Sequence, residues 1–146
     1  MKIEIITDPT YGETRVVIYT GEVNEEVNEL IRRLSENSTK VLAGFREDTV
    51  ELLEPSSVIR IFASSGKVFA ATRDGEYTLR LRLYEIEERL NKSDFVRISN
   101  SEIINLRMVK SFDLNFAGTI CVKFIDSSAS YVSRRYVADI KKVLGI

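Results

Sequence analysis

The sequence predicts a mainly β chain, α+β overall, and three observations predict it. From Thr39 onward, short runs rich in β-branched and aromatic residues are broken by turn residues about every nine or ten positions, the pattern of an antiparallel unit. Only three stretches show the three-and-four spacing of an apolar helical stripe. Tight-turn signals recur between the runs. Asp74-Gly75 is the strongest, because glycine accepts the positive φ that a short hairpin needs.

Residues 1–40 read as a ββα segment. Lys2 to Ile6 and Arg15 to Tyr19 are apolar, β-branched runs, and Asp8-Pro9-Thr10-Tyr11-Gly12 between them carries the proline and glycine of a turn. Val23, Val27, Leu30, Ile31 and Leu34 then line one helical face. Glu25 and Glu26 suit its first turn, Arg32 and Arg33 its last, and Asn37 its exit.

Residues 41–146 form the larger part. Expected strands are Val41 to Phe45, Thr49 to Leu53, Ile59 to Ala63, Lys67 to Thr72 and Tyr77 to Thr78. A helix should follow, burying Leu79, Leu83, Ile86 and Leu90, and ending over Asn91 to Asp94. Further strands are Phe95 to Ile98, Ile103 to Leu106, Met108 to Leu114, Thr119 to Ile125 and Ser130 to Val132, with hairpin turns at Asn115 to Gly118 and Asp126 to Ser128. Ser133 reads as the N-cap of a last helix whose apolar pattern runs through Val137, Ile140 and Leu144 and which stops at Gly145.

Composition narrows the function. With 44% hydrophobic residues the chain can bury a core. No apolar run reaches membrane-spanning length, and the start MKIEIITD carries acids where a secretory signal has none, so a cytoplasmic protein is expected. Cys121, the single cysteine, forbids an internal disulfide and reads as a small strand residue. Histidine is absent, which removes the commonest general base and the helical zinc motifs; no enzyme, metal or cofactor is expected. Residues 1–56 hold six Lys and Arg against twelve Asp and Glu, a balance of −6, whereas residues 57–146 hold fifteen against ten, or +5. A basic rear part favours phosphate backbones, although two solvated faces of unequal charge would give the same count.

The chemistry is most pointed at Ser133-Arg134-Arg135. A hydroxyl, free backbone N–H groups and two guanidinium groups at a helix start can seat a phosphate. Two arginines snorkelling into solvent or pairing with surface carboxylates is the plainer alternative.

The order Phe95-x-Arg97-Ile98-x-Asn100-Ser101-x-Ile103-Ile104-Asn105-Leu106, followed further on by Val132-Ser133-Arg134-Arg135-Tyr136, resembles the LytTR family of bacterial DNA-binding domains, over about Val41 to Ile146. The resemblance implies elongated antiparallel β-sheets with two helices, preceded here by the ββα segment, and loops that enter successive major grooves. It implies double-stranded DNA as partner and no small-molecule substrate. The front is too short for a receiver domain, so control by something other than aspartyl phosphorylation is expected.

Three loops then become candidate DNA contacts. In Ser64-Ser65-Gly66-Lys67, Ser65 and Lys67 can reach phosphate beside a glycine that lets backbones approach. In Ser99-Asn100-Ser101, the amide of Asn100 matches the donor–acceptor pair of adenine; holding a turn is the alternative role for all three, and the one assigned to Asn105. In the third loop Arg135 is the expected base reader, pairing bidentately with guanine, and Arg134 and Ser133 position phosphate. Many family members carry a histidine or larger basic residue in the first loop and at the position of Ser99. The lighter residues here imply weaker binding per protomer, which a homodimer on a direct repeat would offset. The resemblance also suggests an inhibitory membrane protein as partner. The rival reading is a protein-interaction module that keeps the fold without binding DNA, recruiting through the acidic front, where Glu22, Glu25, Glu26 and Glu29 cluster.

Overall fold

In the computed structural model, which describes residues 1–36, 41–114 and 118–146, the chain falls into two units, Met1–Asn37 and Ser38–Ile146. In the front unit one helix forms, α1 (Glu25–Glu36). Asn24 starts it by accepting the Val27 N–H at 3.1 Å, and Glu25 and Glu26 fill the first turn, where the helix dipole favours carboxylates. Glu29 holds Arg32 at 2.6 Å and Arg33 at 3.0 Å, and those hydrogen bonds keep its carboxyl below the usual range. The expected helix exit at Asn37 lies outside the described residues.

The turn after Asp8 also forms, its carboxylate accepting from the Thr10 N–H at 2.9 Å and hydroxyl at 2.8 Å. The two strands expected on either side of it do not form: neither Lys2 to Ile6 nor Arg15 to Tyr19 joins a ladder. A lone pair of short strands is marginal in water without a third element to cover it, and no residue from 1 to 34 is buried.

The second unit is built on a seven-stranded antiparallel sheet and a three-stranded one. The first contains β1 (Leu42–Arg46), β2 (Thr49–Leu53), β3 (Val58–Ser64), β4 (Lys67–Thr72), β5 (Gly75–Leu79), β6 (Phe95–Ser99) and β7 (Glu102–Asn105), in the order β2-β1-β5-β4-β3-β7-β6. The second contains β8 (Val109–Asp113), β9 (Ile120–Phe124) and β10 (Ala129–Val132), in the order β10-β9-β8. Helix α2 (Leu83–Arg89) and helix α3 (Val137–Leu144) complete the unit.

Neighbouring isoleucines explain the layering. Successive strand residues point to opposite faces, so Ile103 and Ile104 of β7 enter different cores. Ile103 packs with Ile61, Leu83, Ile86 and Leu90 beneath α2. Ile104 packs with Ile98, Val122, Phe124, Val132 and Ile140, where the second sheet and α3 close the other face. A strand covered on both sides is why residues 103–105 are all buried and why Ile103 and Ile104 are both apolar instead of alternating with a polar residue. Asn105 is buried as a turn-maker: its amide donates to the Val58 carbonyl at 2.8 Å and its Oδ1 accepts the Arg107 N–H at 3.0 Å.

Two helix starts differ from expectation. Leu79 is buried, but as the last residue of β5, where it pairs with Val68; α2 begins only at Leu83, so the stripe is Leu83, Ile86 and Leu90. Ser133 does not cap a helix through its side chain. Its carbonyl instead accepts the Tyr136 N–H at 2.9 Å, and Arg134–Tyr136 wind as a 3₁₀ turn ahead of α3. Gly145, with φ +73°, closes α3 as expected. Cys121 is a buried free thiol on β9; part of the turn read at Asn115 to Gly118 lies outside the described residues.

Candidate nucleic-acid interface

Strand direction gathers the candidate loops. β3 pairs antiparallel with both β4 and β7, and β6 with β7, with partners Ser64↔Lys67, Phe62↔Glu102 and Ser99↔Glu102. The hairpin at residues 64–67 and the loop at residues 99–101 therefore leave the sheet at the same end. The Ala63 N–H reinforces this by donating to the Ser101 carbonyl at 2.8 Å.

The first tip is a two-residue hairpin. Ser65 and Gly66 both have positive φ, +52° and +77°, the combination that matches the twist of the flanking strands. Ser65 and Lys67 are exposed, and no hydrogen bond or ion pair among the described residues engages the Lys67 ammonium.

The second tip is held from within. Ser99 Oγ accepts the Ser101 N–H at 3.2 Å and lies 3.3 Å from Ser101 Oγ, so both serines hold the turn. Arg97, half-buried in β6, donates to the Asn100 carbonyl at 2.7 Å while its other nitrogens reach Glu87 Oε2 of α2 at 3.0 and 3.2 Å. A half-buried guanidinium with a carboxylate and a backbone carbonyl to satisfy it is a bracket between helix and loop.

The third tip follows β10. The Ser133 N–H donates to the Ile98 carbonyl at 2.9 Å, and the Tyr136 hydroxyl donates to Asn100 Oδ1 at 3.0 Å. These two bonds bring the Ser133–Tyr136 turn against the 99–101 loop. Arg134 and Arg135 are exposed, and neither guanidinium is paired among the described residues.

The result is one end of the unit carrying two unpaired arginines, an unpaired lysine and an asparagine of fixed orientation. Oδ1 retains a second lone pair after accepting from Tyr136, so the Asn100 amide still offers both a donor and an acceptor outward. Sequence reasoning did not single out Arg97 or Tyr136 as holders of this loop. An arginine between apolar neighbours in a strand was a visible signal for the first; the second depends on a contact between residues thirty-six positions apart.

A family model described as the LytTr DNA-binding domain matches residues 48–145. An uncharacterized HTH-type transcriptional regulator of Staphylococcus aureus strain RF122 is 31% identical over all of this chain and 99% of its own length. A regulator of the same description from strain NCTC 8325 is 30% identical over the same shares. Among solved structures, a LytTr DNA-binding domain of a Bacillus cereus DNA response regulator superposes with a TM-score of 0.70 at 24% identity, covering 73% of this chain and 97% of that one. In the present chain strands separate α1, α2 and α3, so no two of these helices are consecutive elements.

Proposed function

The chain belongs to the LytTR family of DNA-binding domains, and from that premise we propose that it is a sequence-specific transcriptional regulator that reads DNA with the three clustered tips. The observation that carries the reading is the pairing of unoccupied cations with a fixed amide at one end of the sheet. Arg60, Arg97 and Arg107 are held in ion pairs, whereas Arg134 and Arg135, like the exposed Arg73, Arg82 and Arg89, meet no carboxylate among the described residues; what distinguishes Arg134 and Arg135 is their place beside the loop of Asn100.

In this account Arg135 reads guanine O6 and N7 in the major groove and Asn100 reads adenine. Ser65, Lys67, Ser133 and Arg134 take phosphates and fix the register, with Ser99 and Ser101 shaping the loop between them. The 3₁₀ turn carries the arginines, and α3 begins only after it. Two protomers bind a repeated half-site in the cytoplasm, and no cofactor takes part. Among the described residues no helix is long and apolar enough to cross a membrane.

Selection of bound duplexes from a random pool tests the reading. A short repeated half-site should emerge. Arg135→Ala should then lose about 1–3 kcal/mol and relax one base position, whereas Arg134→Ala should weaken all sequences alike and lower the salt slope by about one. Enrichment unchanged by Arg135→Ala would sink the assignment.

A further inference from the structure

Two arginines outside the three tips stand at the same end of the sheet. β5 runs antiparallel to β4 with Leu79 opposite Val68, so β5 ends beside the 64–67 hairpin and Arg80 follows at the level of Lys67. Had a helix begun at Leu79, Arg80 and Arg82 would belong to its solvent face. As the exit of a strand they belong to the sheet end. Leu81 packs against the core beneath α2, and the arginines on either side of it are exposed.

Lys67, Arg80 and Arg82 line one cleft of about 380 Å³, together with Gly66, Val68 and Thr78. None of the three cations meets a carboxylate among the described residues. Glu85 accepts the Arg82 backbone N–H at 3.3 Å, which leaves that guanidinium unpaired. Three like charges around one cleft repel one another unless an anion enters. Arg80 is also held in place: its guanidinium lies over the Phe45 ring at 3.9 Å, a stacking that leaves the N–H edge free for a further partner.

We propose that this cleft is a fourth DNA contact, in which Arg80 and Arg82, with Lys67, hold backbone phosphates outside the base pairs read by Asn100 and Arg135. The proposal rests on the DNA reading above and extends it in space. Four strand-to-strand steps separate β5 from β6, about 19 Å at roughly 4.8 Å each. A major groove is about 12 Å wide, so the groove that admits the 99–101 loop does not also contain the cleft, whose cations meet the sugar–phosphate rim. A guanidinium edge pairs bidentately with phosphate oxygens. Contacts so placed add affinity and register without base information.

The test uses the full chain and a selected duplex, with fluorescence anisotropy across a range of salt and circular dichroism to follow the fold. The double variant Arg80→Gln with Arg82→Gln should keep the native base preference. It should bind at least about tenfold more weakly at physiological salt, with a salt slope lower by about two, one for each lost phosphate contact. Arg80→Lys with Arg82→Lys retains both charges and should retain the slope. Neutral methylphosphonate linkages placed one at a time along the duplex locate the contact. The native protein should lose affinity at linkages flanking the half-site, and the glutamine variant should be indifferent to those linkages alone.

A glutamine variant with the native slope and the native methylphosphonate profile overturns the proposal and leaves the DNA reading standing. A lysine variant as weak as the glutamine one makes Arg80 a structural partner of Phe45, and overturns it as well. A native protein that binds no duplex even at low salt removes the DNA reading itself, and the role of the cleft with it.

Discussion

The two parts of this chain use similar residues to opposite effect. Lys2 to Ile6 is as rich in β-branched residues as Val58 to Ser64, yet the first joins no ladder and the second pairs on both edges and buries Val58, Ile59 and Ile61. The difference is company. β3 has β4 on one side and β7 on the other, with α2 over one face and the second sheet over the other, so its hydrogen bonds and its side chains are both satisfied. The front has one helix and eleven uncovered apolar side chains. Strand propensity records fitness for a half-buried surface, and the surface must come from elsewhere.

Substitutions sharpen that contrast, and the largest effect is expected in the doubly covered strand. Ile104→Ala empties part of a fully buried site and should cost about 2–5 kcal/mol in denaturant unfolding. Ile5→Ala, at a side chain 84% exposed, should leave the unfolding of an isolated protomer within about 0.5 kcal/mol. Equal losses at the two sites would erase the distinction.

Next comes Asn105→Ala. It strands the Val58 carbonyl and the Arg107 N–H, and should cost about 1–3 kcal/mol in thermal unfolding. A neutral result would mean that other groups take over both bonds.

Smaller again is Tyr136→Phe, which removes one hydroxyl and should change stability by about 0.5–1.5 kcal/mol at most. Its effect should appear in base preference at the position read by Asn100, leaving the arginine-read position intact. A uniform loss across all sequences would instead mark Tyr136 as a structural residue only.

The smallest effect is a pH dependence at the turn after β9. The Ser128 hydroxyl donates to Asp126 at 2.5 Å and, with the Ser128 N–H at 3.0 Å, holds that carboxyl below its usual range. A depressed folded value gives stabilisation that is present above the ordinary aspartate range near 3.9 and lost as pH falls through the folded value. The margin of native protein over Asp126→Asn should therefore shrink on acidification, and a margin that grows would contradict the assignment.

Much of the second unit was legible. Alternation and turn residues place its ten strands within a residue or two, because both signals are local. Ser65-Gly66 and Arg73-Asp74-Gly75 mark their hairpins by backbone demand, Gly75 taking φ +112° where Arg46 donates to the Asp74 carbonyl at 2.6 Å. Legibility fails where tertiary contacts decide. Leu79 sits four residues before Leu83 and so mimics a helical stripe, but pairing with Val68 keeps it in a strand. Ser133 carries the right side chain for a cap, but its bond to Ile98 and the 3₁₀ turn that follows make a different joint. The brackets at Arg97 and Tyr136 reach across the fold, and no spacing announces them. The two front runs show the converse: their apolar, β-branched pattern is real, yet within the front unit neither joins a ladder, because one helix and one turn offer no third strand to pair with.

The central claim is that the tips at residues 64–67, 99–101 and 133–135 form one DNA-reading end. The most direct measurement is amide chemical-shift mapping of the isotope-labelled full chain during titration with a selected half-site duplex. The largest shifts should fall at Ser65–Lys67, Ser99–Ser101 and Ser133–Arg135, with β2 at the far edge of the sheet unmoved. Shifts concentrated on α1 or β2, with the three tips silent, would contradict it.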